Sequence, residues 1–217
     1  MSSNKNIIRL VVGPVATNCW IYPYGEESDA FEAVIIDPGD DAKKIISALE
    51  KASLTPKYIL LTHGHFDHIC ALPKLAEKYP DAKIGIHSQD AEYLGPESYQ
   101  VHERSIKAAM GTAALMNIPW EELPSADIRF EEGSVTGPFT VLHLPGHTPG
   151  SCAFLDKNEG ILFTGDTLFK RGYGRTDLPG GNEKQIFESL KRLLKMDRNI
   201  KVYPGHGETT LIAQEYN

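Results

Sequence analysis

The segment THGHFDH at residues 62–68 brings three histidines and one aspartate together within seven residues. It directly follows the apolar run KYILL at residues 57–61, and apolar residues recur at helical spacing after residue 68. A short apolar run of this kind is typical of a buried strand. The histidines are therefore expected on a turn that leaves a strand and enters a helix. Because imidazole and carboxylate groups are accepted ligands of first-row divalent metals, the segment predicts a metal site.

Three residues further along the chain have a similar placement. His147, Asp166 and His206 each follow a predicted strand, and a glycine precedes each of them. Glycine allows the backbone to approach a metal cluster closely. Taken singly, the two histidines could be ordinary turn residues and the aspartate a helix N-cap. Together with the first segment, however, they complete a set of five histidines and two aspartates, which favours a metal site.

The hydrophobic pattern predicts an α/β (α+β) fold. Strands are expected at residues 7–12, 19–24, 33–37, 57–61, 127–130, 139–144, 151–155, 160–164 and 201–203, and helices at 41–52, 69–79 and 183–194. The segment 96–118 is rich in Ala and Met and is expected to be mostly helical. Two sets of strands, each followed by helices, predict two sheets packed face to face with helices outside. No repeat or low-complexity linker divides residues 1–217, so a single domain is expected.

Composition excludes several classes of protein. With 22 Lys+Arg against 29 Asp+Glu, the net charge of −7 argues against a nucleic-acid partner. No apolar run reaches the roughly 18 residues of a membrane span, and the amino end does not resemble a signal peptide. The three cysteines have no CxxC spacing, which fits a reducing compartment. A cytoplasmic protein without a membrane anchor is therefore expected.

The series THGHFDH, HTPGS, TGD and PGH resembles that of the metallo-β-lactamase superfamily, and the likeness runs over almost the whole chain. This resemblance implies an αββα sandwich of two mixed β-sheets, with the site at one edge of the sheets. It also implies that one metal ion is held by His63, His65 and His147. A second would be held by Asp67, His68 and His206, with Asp166 bridging both.

The resemblance implies a metal-dependent hydrolase with two divalent metal ions. Zinc is the expected metal, with iron or manganese as alternatives. Two such ions can share a hydroxide that attacks a carbonyl carbon. Asp67 is the predicted catalytic residue, since it would orient this hydroxide as well as bind metal.

The run GRTD at residues 174–177 narrows the expected substrate. It is similar to that of the small bacterial type II glyoxalase-like proteins, which implies hydrolysis of hydroxyacylglutathione thioesters such as S-lactoylglutathione. Persulfide dioxygenases of the same superfamily carry a similar run. By that resemblance, a single iron would be held by His63, His147 and Asp166, and glutathione persulfide would be the substrate. The GRTD run does not favour β-lactam hydrolysis.

Contacts to a glutathione-linked substrate are expected in the segment after Asp166. The longer glyoxalase II enzymes bind glutathione through an extra helical domain after the last ligand, whereas only eleven residues follow His206 here. Arg175 has a structural alternative, which is to pair with Asp177. The predicted substrate contacts are Lys170, Arg171, Tyr173 and Arg175.

A non-catalytic metal-binding protein is the alternative from another class. A purely structural metal site usually closes with four ligands and no open position. The seven ligand-type residues of this chain therefore favour an enzyme over a structural site.

Overall fold

A computed structural model describes residues 6–25, 32–110 and 120–215, and its strands form two six-stranded sheets. The first sheet contains, side by side, β1 (Ile8–Val12), β2 (Thr17–Tyr24), β3 (Glu32–Ile36), β4 (Thr55–Leu60), β5 (Lys83–His87) and β6 (Ile128–Phe130). Strands β1 to β3 pair antiparallel, and β3 to β6 pair parallel. The carboxyl ends of β3, β4 and β5 therefore lie at the same edge.

The second sheet has the order β12-β11-β10-β9-β8-β7. Its strands are β7 (Val135–Thr136), β8 (Phe139–His143), β9 (Cys152–Asp156), β10 (Ile161–Gly165), β11 (Lys201–Pro204) and β12 (Thr210–Leu211). Strands β10 and β11 are parallel, and both β8 and β10 are antiparallel to β9. Strands β8, β10 and β11 therefore run in one direction and end at one edge.

Aromatic side chains fill the space between the two sheets. Tyr22 of β2 and Phe163 of β10 meet edge to face, with ring centroids 5.8 Å apart, and Trp20 lies 6.2 Å from the same Phe163 ring. Alternate residues of each strand point into this layer. The layer also buries Val34, Ile36, Leu60, Phe130, Phe139, Val141, Cys152, Phe154, Ile161 and Tyr203.

The remaining strand positions face helices on the outside of each sheet. On the first sheet, Ile35 and Ile59 belong to a buried cluster that includes residues of α1 (Ala42–Lys51), α2 (Leu72–Lys78) and α3 (Tyr99–Met110). On the second sheet, Leu162 packs in a cluster with α4 (Glu183–Leu194). The predicted αββα sandwich of two mixed sheets is confirmed.

Strand β5 is an element that the sequence pattern did not predict. Its sequence KIGIH is short and has Gly85 at the centre, and glycine has a low preference for strands. The ring of Phe130 on the neighbouring strand occupies the space that a side chain at position 85 would need. A tertiary contact therefore explains the glycine. The two-residue strands β7 and β12 were also not predicted.

The helix expected over residues 96–118 is present as α3 from Tyr99 to Met110. Residues 111–118 of that expectation lie outside the described part of the chain. None of the helices in the described ranges has the length and apolar character needed to cross a bilayer.

Candidate metal centre

The predicted ligands follow four strands whose carboxyl ends meet at one edge of the sandwich. Residues 63–68 follow β4, and His147, Asp166 and His206 follow β8, β10 and β11. Backbone hydrogen bonds join the two sheets here, with Asn18 N donating to Gly205 O over 2.7 Å. Segments that are distant in sequence are therefore held against one another at this edge.

The first ligand group consists of His63, His65 and His147, all buried. Each offers one ligand atom, and these atoms lie within 4.8 Å of one another. His65 Nδ1 is 2.9 Å from His147 Nε2. The His63 ring stands edge-on to the other two, with centroid distances of 4.9 and 4.7 Å. Three imidazoles thus converge on one point, as a catalytic zinc site requires.

The second ligand group consists of Asp67, His68 and His206. A short 3-10 turn over Phe66–His68 carries Asp67 and His68, and the His68 ring lies beside the first group, with its centroid 4.1 Å from that of His63. Asp67 Oδ2 lies 3.5 Å from His68 Nε2 and 3.3 Å from His206 Nε2. One seven-residue segment therefore contributes side chains to both groups.

Asp166 lies between the two groups. Its Oδ1 is 3.5 Å from His68 Nε2, while its Oδ2 is 3.5 Å from His206 Nε2 and 3.7 Å from His147 Nε2. The backbone of Gly205 passes so close that a Cβ at this position would collide with the Asp166 carboxylate. Asp166 is thus placed where a ligand shared by two metal ions would stand.

Several buried polar atoms of these residues suit a cation. His63 Nε2, His68 Nε2 and Asp166 Oδ1 have no hydrogen-bond partner among the described residues. Buried polar atoms are nearly always paired, so unpaired ring nitrogens around a carboxylate need an explanation. Metal ions in both groups would supply the missing partner, and the imidazole and carboxylate donors match first-row divalent metals.

Hydrogen bonds on the outer side of two rings fix their tautomers. The Arg175 carbonyl oxygen can only accept, so His147 Nδ1 donates to it across 2.7 Å. His63 Nδ1 lies 3.1 Å from Thr62 Oγ1, whose own hydrogen goes to Asp37 Oδ2. In the neutral tautomer that these contacts favour, the Nε2 atom of each ring carries the lone pair and faces the site.

The protonation of the first group also suits metal binding. Burial lowers the pKa of His63 and of His65 well below the ordinary histidine value, and the neighbouring imidazoles lower it further. Both rings are therefore neutral at physiological pH. Neutral imidazole is the form that binds a metal ion.

The second group has a strongly negative environment. Burial by itself lowers the pKa of His68, but the carboxylates of Asp67, Asp37 and Asp166 raise it to about 10. Burial raises the pKa of Asp67, yet the charges of His68 and His206 hold it well below its usual range. Carboxylates that keep a proton on His68 would equally stabilise a divalent cation in its place.

Two further aspartates, which the sequence motifs did not predict as site residues, support the ligands. Asp37 accepts hydrogen bonds from Thr62 N and Thr62 Oγ1, and its Oδ2 lies 3.0 Å from His68 Nδ1. Asp90 is buried and accepts hydrogen bonds from Gly64 and Thr148, which adjoin ligands. Both residues follow parallel strands beside β4, and this position is the signal that could have identified them.

A cavity of about 360 Å³ opens beside the ligands. Its walls include the apolar side chains Val15, Phe66, Phe169 and Leu178, together with Ser105 and Ala109 of helix α3. The cavity is of a size that holds a small molecule. His65, Asp67, His147, Asp166 and His206 form its floor.

Of the four predicted substrate contacts, Arg175 lines this cavity. Its guanidinium pairs with Asp177 through two 2.7 Å hydrogen bonds. Lys170 pairs with Glu208, and the exposed Tyr173 ring packs against Phe187. The backbone N–H of Arg171 donates to Glu215.

Together, the αββα fold and the histidine-rich edge define a class of metallo-hydrolase. The chain belongs to the metallo-β-lactamase superfamily, whose family model matches residues 12–206. The superfamily membership expected from the motifs is therefore confirmed.

Relatives of known sequence support this class. A relative named hydroxyacylglutathione hydrolase GloC, from Haemophilus influenzae, is 35% identical over 191 residues, covering 86% of this chain and 85% of the relative. A probable metallo-hydrolase, YqgX from Bacillus subtilis, is 33% identical over 211 residues and covers 95% and 92% of the two chains.

Solved structures agree in fold. The di-iron-bound form of TTHA1623 superposes with a TM-score of 0.79 at 37% identity, covering 96% of each chain. BLEG-1, described as a B3 metallo-β-lactamase, has a TM-score of 0.79 at 33% identity and covers 96% of this chain and 95% of its own.

Proposed function

We propose that this chain is a dinuclear metal-dependent hydrolase that cleaves thioesters, with hydroxyacylglutathione thioesters such as S-lactoylglutathione as its substrates. The observation that carries the proposal is the position of Asp166 between two ligand groups, at the floor of a cavity of about 360 Å³. A single structural metal would not need two groups and an open cavity.

In this proposal, the first ligand group would hold one metal ion and the second another, and Asp166 would be a ligand of both. Two ions at such a site lower the pKa of a shared water towards neutrality and polarise a carbonyl oxygen. Zinc is the proposed metal because the donors are mostly imidazoles. Iron and manganese are accepted by the same donors, and TTHA1623 was solved with two irons.

Asp67 is the proposed catalytic residue. Its carboxylate faces the cavity and accepts a hydrogen bond from Thr17 Oγ1 over 2.9 Å. The low pKa of Asp67 keeps it ionised, so it can accept a hydrogen from the attacking water and orient its oxygen. A thiolate leaving group needs little protonation, which fits a cavity whose titratable lining residues, within the described part of the chain, are proposed metal ligands and Arg175.

The glutathione part of the proposal has two supports. The GRTD run at residues 174–177 lies beside the site, since Gly174 N donates to Asp166 O and Arg175 lines the cavity. The Haemophilus influenzae relative is named a hydroxyacylglutathione hydrolase. Arg175 would face a substrate carboxylate, while the apolar wall would pack against the acyl and thiol carbons. We also propose a cytoplasmic location, which the three free cysteines favour.

The first test is hydrolysis of S-D-lactoylglutathione by zinc-loaded protein, followed as loss of the thioester absorbance. Asp166→Asn should abolish turnover and lower the bound metal. Asp197→Asn is the matched control, because Asp197 lies on an exposed turn before β11 and accepts a local backbone hydrogen bond.

Other outcomes would replace the proposal. Oxygen uptake with glutathione persulfide by the iron-loaded protein, without thioester loss, would favour the mononuclear dioxygenase. Hydrolysis of a β-lactam alone would favour the activity named for BLEG-1. Full metal loading without turnover of any of these substrates would favour a non-catalytic metal-binding protein.

A further inference from the structure

Asp90 is a buried carboxylate that joins two loops from opposite sheets. Its Oδ2 accepts hydrogen bonds from Gly64 N over 2.9 Å and from Thr148 Oγ1 over 2.7 Å. Its Oδ1 accepts from Gly150 N over 2.6 Å. Gly64 belongs to the segment after β4, while Thr148 and Gly150 belong to the segment after β8. One side chain therefore receives two donors from the second sheet and one from the first.

These donors adjoin the first ligand group in sequence. Gly64 separates His63 from His65, and Thr148 directly follows His147. The two loops must keep a fixed separation for His65 Nδ1 and His147 Nε2 to stay 2.9 Å apart. Because Asp90 bonds to both loops, it helps to set that separation, together with the backbone hydrogen bond from Cys152 N to Thr62 O over 2.8 Å.

The loops are built to approach this carboxylate. A Cβ at position 150 would lie 2.6 Å from Asp90 Cγ, so the close approach requires Gly150. Thr148 Oγ1 is also 2.7 Å from Ser151 Oγ, which accepts a hydrogen bond from Thr148 N. The carboxylate is thus part of a closed network of short hydrogen bonds.

Residues other than Asp90 contact the second ligand group. Asp37 contacts His68, and Thr17 donates to Asp67. The hydrogen bonds of the Asp90 carboxylate within the described residues all go to the two loops of the first group. Asp37 thus reaches both groups, through His68 and, by way of Thr62, through His63, whereas the hydrogen bonds of Asp90 go to the loops of the first group alone.

We propose that Asp90 is a positioning residue that sets the metal affinity of the first ligand group without setting that of the second. This inference rests on the proposed two-metal function. Asparagine at position 90 would keep the size of the side chain, but its NH2 group cannot accept a hydrogen bond. Depending on which way the amide of the asparagine is turned, its NH2 group would meet the N–H of Gly64 or the N–H of Gly150. Two donors would then face each other, and the two loops would separate.

The test is a stepwise Zn²⁺ titration of the full chain in competition with a chromophoric chelator. Wild type should bind two ions. In Asp90→Asn, one binding step should weaken by about 10- to 100-fold, the range found when partners of metal ligands are removed, and the other should stay as in wild type. Asp127→Asn is the matched control, because Asp127 Oδ2 accepts Ile84 N at 2.9 Å at the opposite end of β5. The Asp127→Asn protein should be less stable than wild type but should bind Zn²⁺ with the same affinity in both binding steps.

Removing a ligand from one group at a time shows which group the weakened Zn²⁺ binding step belongs to. In a His206→Ala background, which removes a ligand of the second group, Asp90→Asn should weaken the remaining step. In a His147→Ala background it should have no further effect. Should Asp90→Asn fail to fold, Thr148→Val removes one donor and should weaken the same step to a smaller degree.

Equal weakening of both steps, or two unchanged steps, would overturn the role of Asp90 and leave the proposed function intact. A wild-type protein that binds fewer than two ions would instead overturn the dinuclear function on which the inference rests. The two failures are distinguished by the wild-type titration alone.

Discussion

Thr17 donates its hydroxyl hydrogen to Asp67 Oδ2 across 2.9 Å, and this bond links the first residue of β2 to the candidate catalytic carboxylate. Thr17 is buried, and its backbone also forms a bridge with His206. The hydroxyl has little freedom to turn elsewhere. The Asp67 carboxylate is therefore held between β2 and His206, since His206 Nε2 lies 3.3 Å from the Asp67 Oδ2 atom that Thr17 contacts.

Thr17→Val tests whether this bond orients Asp67 for catalysis. Valine keeps the shape of threonine and removes the donor. A hydrogen bond to a charged group contributes about 1.5–3 kcal/mol, so we expect kcat for S-D-lactoylglutathione to fall by about 10- to 100-fold. Thr17→Ser retains the hydroxyl and should keep most of the activity. Equal kcat values for wild type and Thr17→Val would contradict this role.

Gly205→Ala tests the packing around Asp166. A Cβ at position 205 would collide with the Asp166 carboxylate and lie 2.8 Å from His68 Cε1. We expect the variant to fold but to bind less metal, measured as zinc content after dialysis. Gly172→Ala is the control, because a Cβ there meets no atom within 4 Å and the backbone is not left-handed. Full metal content in Gly205→Ala would show that the Asp166 carboxylate can move without loss of the site.

The fold was predictable where the hydrophobic pattern matched the local structure. The run at residues 57–61 became β4, and the helix expected at 183–194 is α4 with the same bounds. Strand β5 was missed because Gly85 weakens the strand pattern, and only the Phe130 ring on the next strand explains that glycine. A single sequence contains no information about which ring fills such a space.

The candidate site was predictable to the extent that its residues are chemically distinctive. Histidines at close spacing stand out in a sequence, and all seven expected ligands lie at one edge of the sheets. Asp37 and Asp90 did not stand out, because an aspartate after a strand is equally typical of a turn. Their role depends on the parallel order of β3, β4 and β5, which is a property of the sheet.

Arg175→Gln tests the proposed recognition of an anionic substrate. Arg175 lines the cavity, and its carbonyl, which holds His147, is unaffected by a side-chain change. We expect a higher KM for S-D-lactoylglutathione with a smaller change in kcat, and an unchanged KM for an uncharged acyl thioester. Lys170→Gln is the control, because Lys170 pairs with Glu208 and does not line the cavity. The same KM increase for both substrates would point to a role in holding the loop.

His102 gives the folded chain a predictable sensitivity to acid. Its ring is fully buried, donates from Nε2 to the Tyr93 carbonyl over 2.8 Å, and stacks on Trp120. Burial lowers the pKa of His102 from 6.5 to about 4, although the bond to Tyr93 opposes the shift. Between these pH values the unfolded chain binds a proton that the folded chain excludes. The stabilisation from neutral His102 is therefore complete above about pH 6.5 and is lost as the pH falls towards 4.

His102→Gln should remove this dependence. Glutamine can still donate to the Tyr93 carbonyl but does not titrate, so we expect a lower free energy of unfolding at pH 7 and a smaller further loss at pH 5. The shift of the His102 pKa from 6.5 to about 4 corresponds to roughly 3 kcal/mol of unfolding free energy over the whole window. Urea unfolding at both pH values, with a chelator present throughout, measures the difference between the two proteins. The two proteins differ at position 102 alone, so a parallel decline in their stabilities would show that His102 takes up its proton without unfolding the chain.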